Sequence, residues 1–178
     1  GDHWFGIQHH GVEPDIMVMA KGIANGAPVG ATITTDEIAH RWEGKHISTF
    51  GGNPVSMAAL CATQDELRDH DAPHNASARG AQLRTALEEM QTRHPWMGDV
   101  RGMGLMQAIE IVKDPHSKEP DLERTRKLME ASREEGLLIG LGGLHGTVVR
   151  IGPSLLITEE EMAEGIQKLG RAIDRVGD

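Results

Sequence analysis

The chain has 178 residues, 38% of them apolar and 25% charged, with a formal charge of −9. That is room for one soluble domain, or a domain and part of another, and the acidic balance argues against nucleic acid or an anionic membrane as the main partner. The lone Cys61 excludes an internal disulfide and fits a reducing, cytoplasmic compartment; no apolar run is long enough to span a bilayer, and residues 1–5 lack the basic start and apolar core of a signal peptide.

Residues 15–20 (Asp-Ile-Met-Val-Met-Ala) are a nearly continuous apolar run, which predicts a strand buried on both faces, as in a parallel sheet covered by helices. Lys21-Gly22 ends it. A glycine-rich stretch (Gly22, Gly26, Gly30) leads to a second short strand at 31–34, and Thr35 or Asp36 caps a short helix carrying Ile38, Ala39 and Trp42. Asn53 suits an N-cap and Pro54 a first helical position, so a helix opens there and runs to about Arg68. Its small residues (Ala58, Ala59, Ala62) permit close packing against a sheet. Residues 69–74 are polar and contain Pro73, and a domain boundary is expected there.

The second half reads as α+β. A helix from about Asn75 to Arg93 places Leu83, Leu87 and Met90 at helical spacing, and His94-Pro95 ends it. A strand is expected over 105–112 and a polar loop over 113–120. A charged helix follows over about 121–135, closed by Gly136. Two short strands are expected at 137–139 and 148–151. Thr158 opens a last helix, with Glu161 completing a capping box and Met162, Ile166, Leu169, Ile173 and Val176 forming its apolar stripe.

Three positions have the chemistry of a site. Lys21 sits at the carboxyl end of the first strand, where open α/β sheets place their ligands; a lysine that loses solvation there favours the free amine that a Schiff base needs. A solvated surface lysine is the competing reading. Thr49, with Gly51 and Gly52 ahead of a helix start, has the donors of a phosphate cradle, although taken alone the stretch reads as an ordinary turn and cap. Arg150 alternates with Val149 and Ile151 and so faces away from them. By itself it reads as an exposed arginine; its planar fork also suits a carboxylate.

Other patterns point nowhere. Adjacent His9 and His10 face different ways and have no companion at zinc spacing, so no metal is expected. Neither Gly140-Leu-Gly142-Gly143 nor Gly102-Met-Gly104 completes a dinucleotide fingerprint. A nucleophile elbow is absent, and Cys61 falls in what reads as a packed helix.

Taken in order, several segments resemble the class-III (ornithine/4-aminobutyrate-like) aminotransferases. Residues 4–16 look like the family segment that precedes its pyridoxal-phosphate (PLP) lysine, and Met19-Ala20-Lys21-Gly22-Ile23 matches the lysine motif. Pro28-Val29-Gly30-Ala31, Thr49-Phe50-Gly51-Gly52-Asn53-Pro54, Gly102-Met103-Gly104-Leu105 and Val149-Arg150-Ile151-Gly152-Pro153 follow as they do in the family. Any one piece is weak; the ordered set covers nearly the whole chain.

The resemblance implies a fold-type-I PLP-dependent transferase of the α/β class. Residues 1–74 would be the end of the large cofactor-binding domain, and 75–178 the small C-terminal α+β domain. It implies Lys21 as the Schiff-base lysine, Thr49 as a ligand of the cofactor phosphate reaching the neighbouring subunit of a homodimer, and Arg150 as the clamp for the substrate carboxylate. The activity implied is ping-pong transfer of an amino group from an amino acid or ω-amino acid to a 2-oxo acid. Residues 136–146 look most like the alanine–glyoxylate type, with the 4-aminobutyrate type a close competitor. In the family, the aspartate facing the pyridine nitrogen, the ring-stacking aromatic and the N-terminal phosphate loop precede the segment that opens this chain. The sequence is therefore expected to be part of a longer enzyme. A same-fold aminomutase, racemase or decarboxylase, or a non-catalytic assembly partner, are the alternatives.

Overall fold

The computed structural model describes residues 1–177, which form two compact units: His3–Ala72, and Gly1–Asp2 with the residues from Pro73 onward.

In the first unit a short 3-10 turn over Gly6–His10 precedes β1 (Ile16–Ala20). This strand pairs antiparallel with β2 (Gly30–Thr34), from Ile16 opposite Thr34 to Ala20 opposite Gly30. The expectation of a strand buried on both faces in a parallel sheet is thus corrected. Residues of β1 alternate between exposed and half-buried, and Val18 is 75% exposed. An apolar run shows that both faces can be covered, not what covers them. A second 3-10 turn over Lys21–Ala24 links the strands.

The capping chemistry behaves as read. In α1 (Asp36–His40) the Thr35 hydroxyl accepts the Ile38 N–H, and in α2 (Pro54–Asp69) Asn53 Oδ1 accepts the Ser56 N–H at 2.9 Å. Of the α2 alanines expected to pack on a sheet, Ala58 and Ala62 are exposed and Ala59 is half-buried. Instead α2 packs on the Lys21–Ala24 turn, where Gln64 Nε2 donates to the Ile23 carbonyl at 2.9 Å. Cys61 lies on α2 and is exposed rather than packed.

The second unit contains α3 (Ala72–Arg93), β3 (Met97–Met103), β4 (Met106–Ile111), α4 (Leu122–Glu134), β5 (Gly140–Gly142), β6 (Val148–Ile151) and α5 (Glu159–Val176). Helix α3 starts earlier than Asn75 because proline is tolerated in a first helical turn, where its missing N–H would have no partner. The sheet has the order β3-β4-β6-β5 and is antiparallel throughout. One of its faces (Val100, Ile109, Ile111, Val149) joins Leu83, Leu87 and Met90 of α3, Leu128 of α4, and Met162, Leu169 and Ile173 of α5 in a single core. Each such side chain stabilises the fold by about 1.5–3 kcal/mol on burial.

Two strand expectations shift. Residues 137–139 form no strand; Leu137 and Ile139 lean on the core, and the backbone pairs only from Gly140, where β6 offers Arg150 as its partner. Strand β3 was not anticipated, because Gly98, Asp99, Arg101 and Gly102 hide its alternation and its pairing comes from β4. At α5 the expected capping box is formed: Thr158 Oγ1 accepts the Glu161 N–H at 3.1 Å, and Glu161 Oε2 accepts the Thr158 N–H at 2.9 Å. Among the described residues no helix is long and apolar enough to cross a membrane.

Candidate active site

Lys21 stands where β1 ends, with φ at 57°. That left-handed conformation costs an ordinary L-residue roughly 1–2 kcal/mol. It is held by the β1–β2 pairing on one side and by α2, through Gln64 and the buried Ala24, on the other. Such backbone persists only where its surroundings over-determine it, and it concentrates at functional sites. The Lys21 ammonium has no hydrogen-bond or ion-pair partner among the described residues. Lys118 also has a positive φ (56°), but its Nζ donates to the Gly98 carbonyl at 2.6 Å and is committed. The desolvation expected of Lys21 is not supplied here: it is exposed, as is half of the strand that carries it.

Thr49 lies between α1 and α2 in a loop of two successive turns. The Gly51 N–H donates to the Ser48 carbonyl and the Asn53 N–H to the Phe50 carbonyl, both at 3.3 Å. Gly52 supplies the φ of 69° that the second turn requires. The Thr49 hydroxyl and the Gly52 N–H are left without a partner among the described residues. Ser48, Phe50, Gly52 and Ser56 line a hollow of about 810 Å³ that also includes Pro28 and His46. Of the donors a phosphate takes, the Gly52 N–H and the start of the 16-residue α2 at Asn53 lie on the hollow's wall, and the Thr49 hydroxyl lies next to it in sequence. Neither Thr49 nor Lys21 is among the residues that line this hollow, although Thr49's neighbours Ser48 and Phe50 are.

Arg150 is in the second unit, in the middle of β6. It lies opposite Gly140 of β5 and Ala108 of β4, on the exposed face, while Val149 faces the core, as the alternation predicts. Its guanidinium has no partner among the described residues. The nearest acid in register, Glu110 opposite Val148, is already engaged: Arg101 Nη1 bonds Glu110 Oε2 and Asp99 Oδ2, both at 2.6 Å.

His9 and His10 close the first 3-10 turn and are exposed, and the His9 ring meets His3 edge-on at 4.7 Å. Among the described residues no group of three or more His, Cys, Asp or Glu side chains is arranged to hold a metal. The sequence reading missed two supports. Gln64, which ties α2 to the lysine turn, left no trace in the sequence beyond a half-polar helix face. Gly142, opposite Val148 on the sheet face that Arg150 shares, was visible, but only as part of an incomplete nucleotide motif.

Residues 1–173 match the family described as aminotransferase class-III. The chain is 41% identical over 162 residues to the mitochondrial alanine–glyoxylate aminotransferase 2 homolog 2 of Arabidopsis thaliana, covering 90% of this chain and 34% of that protein. It is 37% identical over 181 residues to a leucine/methionine racemase of Thermococcus litoralis, covering 98% of this chain and 40% of the racemase. Among solved structures it is similar to an amine transaminase from an uncultivated Pseudomonas species in its PLP-bound form, with a TM-score of 0.88 and 31% identity, over 99% of this chain and 42% of that one. The chain spans between about a third and two-fifths of the length of these relatives. With the family match running through both units, and the fold superposing on a transaminase over nearly its whole length, the chain belongs to the class-III aminotransferase family and has the fold-type-I architecture of PLP-dependent transferases.

Proposed function

We propose that this chain supplies the lysine-bearing, C-terminal portion of a PLP-dependent aminotransferase that moves an amino group from an amino acid or ω-amino acid to a 2-oxo acid. The observation that carries this reading is Lys21: it occupies the family's lysine motif, at a strand end, in a strained turn, with an uncommitted amine. Residues 1–74 are read as the C-terminal part of the large cofactor domain, and 75–178 as the small domain.

The residues present fit the cofactor: a free amine for its aldehyde, and a free hydroxyl and N–H at a helix start for its phosphate. Bound PLP supplies an aldehyde for reversible amine capture and a ring that withdraws electrons from the donor carbon. Lys21 Nζ would hold it, and as a free amine the same Nζ would move the proton from the donor carbon. Thr49 holds phosphate through its hydroxyl, and by its match to the family motif it reaches the neighbouring subunit's cofactor in a homodimer. Arg150, unpaired on the open face of the sheet, clamps the carboxylate of donor and acceptor. A cytoplasmic location belongs to the same reading, supported by the single free thiol of Cys61; the Arabidopsis relative is named as mitochondrial.

The preferred subtype is alanine–glyoxylate, supported by the Arabidopsis relative and by residues 136–146. The complete gene product, loaded with PLP, is assayed with alanine, 4-aminobutyrate and other donors against glyoxylate or pyruvate. A keto product from alanine supports the subtype; inert alanine with active 4-aminobutyrate moves it to the ω-amino type; no keto product from any donor defeats the aminotransferase reading. The Thermococcus relative favours a racemase as the second reading. Appearance of the D-amino acid without keto product would select it.

A further inference from the structure

We propose that Gly142 is a positioning residue for Arg150: the bare backbone of β5 leaves a lane in which the arginine side chain lies, and that lane sets where its guanidinium meets a substrate carboxylate. The proposal rests on the reading of Arg150 as the carboxylate clamp.

The register puts Gly140 opposite Arg150 and Gly142 opposite Val148, so both glycines share the exposed face with the arginine. Their roles differ. A Cβ at Gly140 would meet the Arg150 carbonyl at 3.7 Å and its Cβ at 3.8 Å, an ordinary contact. A Cβ at Gly142 would stand 3.6 Å from Arg150 Cγ, an ordinary contact, but only 2.8 Å from Cδ, closer than carbon atoms tolerate. Neither glycine has a φ in the left-handed range, so the backbone itself does not call for glycine at either position. The need at Gly142 comes from the arginine.

What a methyl group there would strike is the outer part of a flexible side chain, not backbone. Alanine at 142 is therefore accommodated by moving Arg150 and not by unfolding the sheet. The other flank imposes nothing comparable, since the residue opposite on β4 is the small Ala108, and Glu110 is held by Arg101. The guanidinium thus has no partner to set its direction, and Gly142 decides the path. Relieving the overlap takes a shift on the order of 1 Å, which in a bidentate clamp spoils the alignment of both N–H groups and can cost about tenfold to a hundredfold.

The test uses the complete gene product loaded with PLP, as the parent and as G142A, G140A and R150A. Single-turnover amine capture is followed with alanine, which has a carboxylate, and with 1-phenylethylamine, which has none. The Kd of propanoate and the thermal midpoint are measured beside it. We expect G142A to weaken apparent alanine binding and propanoate binding by about tenfold or more, with the effect confined to the carboxylate-bearing ligands and the midpoint unmoved, while G140A follows the parent. If R150A is impaired with alanine and G142A is not, the positioning role is overturned and the clamp stands. If R150A is unimpaired, the clamp reading falls and the positioning role with it. Equal losses with both donors, or a lowered midpoint in G142A, would mean a merely structural effect and would also overturn the proposal.

Discussion

His3–Ala72 contains Lys21 and Thr49, yet among its residues only Ala24, Ser56 and Ala72 are buried; Pro73–Asp178 contains Arg150 and the entire hydrophobic core. The first unit leaves Val18, Trp42, Ile47, Phe50 and Val55 exposed, each by more than 70%. The apolar surface these side chains present is suited to contact with other surfaces. In the proposed reading it meets the remainder of the large domain and the second subunit. The core and the proposed cofactor residues thus lie in different units: Lys21 and Thr49, to which the proposed function gives the cofactor, are in the unit with little buried apolar surface, and Arg150, its proposed carboxylate clamp, is in the unit that contains the core.

The comparison breaks most openly on isolated pieces. Residues 73–178 expressed alone are expected to unfold in a single cooperative transition by circular dichroism, and residues 3–72 alone to show none. A sharp transition in the smaller piece would contradict the contrast. Next in size is Lys21→Ala in the complete gene product. It should lower activity by about 10²–10⁴-fold or more and leave the thermal midpoint unchanged, because the ammonium supports no contact in the fold; an equal fall in stability would show that Lys21 is structural.

Leu87→Ala probes the opposite corner. Leu87 is fully buried, with 0% exposure, and its truncation in the 73–178 piece should cost about 2–5 kcal/mol in chemical denaturation. The smallest effect concerns the charges joining α4 to α5. Glu135 bonds Arg171 Nε at 2.6 Å and pairs with Arg175, also at 2.6 Å. The Arg171 hydrogen bond, with the Arg175 charge, holds the Glu135 carboxyl below the usual carboxylate range. Its contribution to stability is therefore present above its unfolded-state value of about 4.3 and is lost as the pH falls through the lower folded-state value. Glu135→Gln should be less stable than the parent at neutral pH, and the gap should close in acid. A gap constant with pH would assign the effect to packing.

Sequence patterns gave the local chemistry more faithfully than its surroundings. Asn53-Pro54 and Thr158 with Glu161 open helices as read, because a cap involves only neighbouring residues. The burial of β1 was misjudged because covering a strand is a long-range matter that an apolar run leaves undetermined. For the same reason β3 went unseen and β5 was placed three residues early: in both, backbone pairing with a neighbour outweighs side chains that look like turn residues. Lys21, Thr49 and Arg150 stood out through their motifs. The strain at Lys21, the open donors beside Thr49 and the lane beneath Arg150 required coordinates.

The most direct test of the account is borohydride reduction of the PLP-loaded complete gene product, followed by peptide mapping. The account predicts a pyridoxyl group on Lys21 and on no other lysine of this chain; stoichiometric labelling at a different lysine, with Lys21 unmodified, would contradict it.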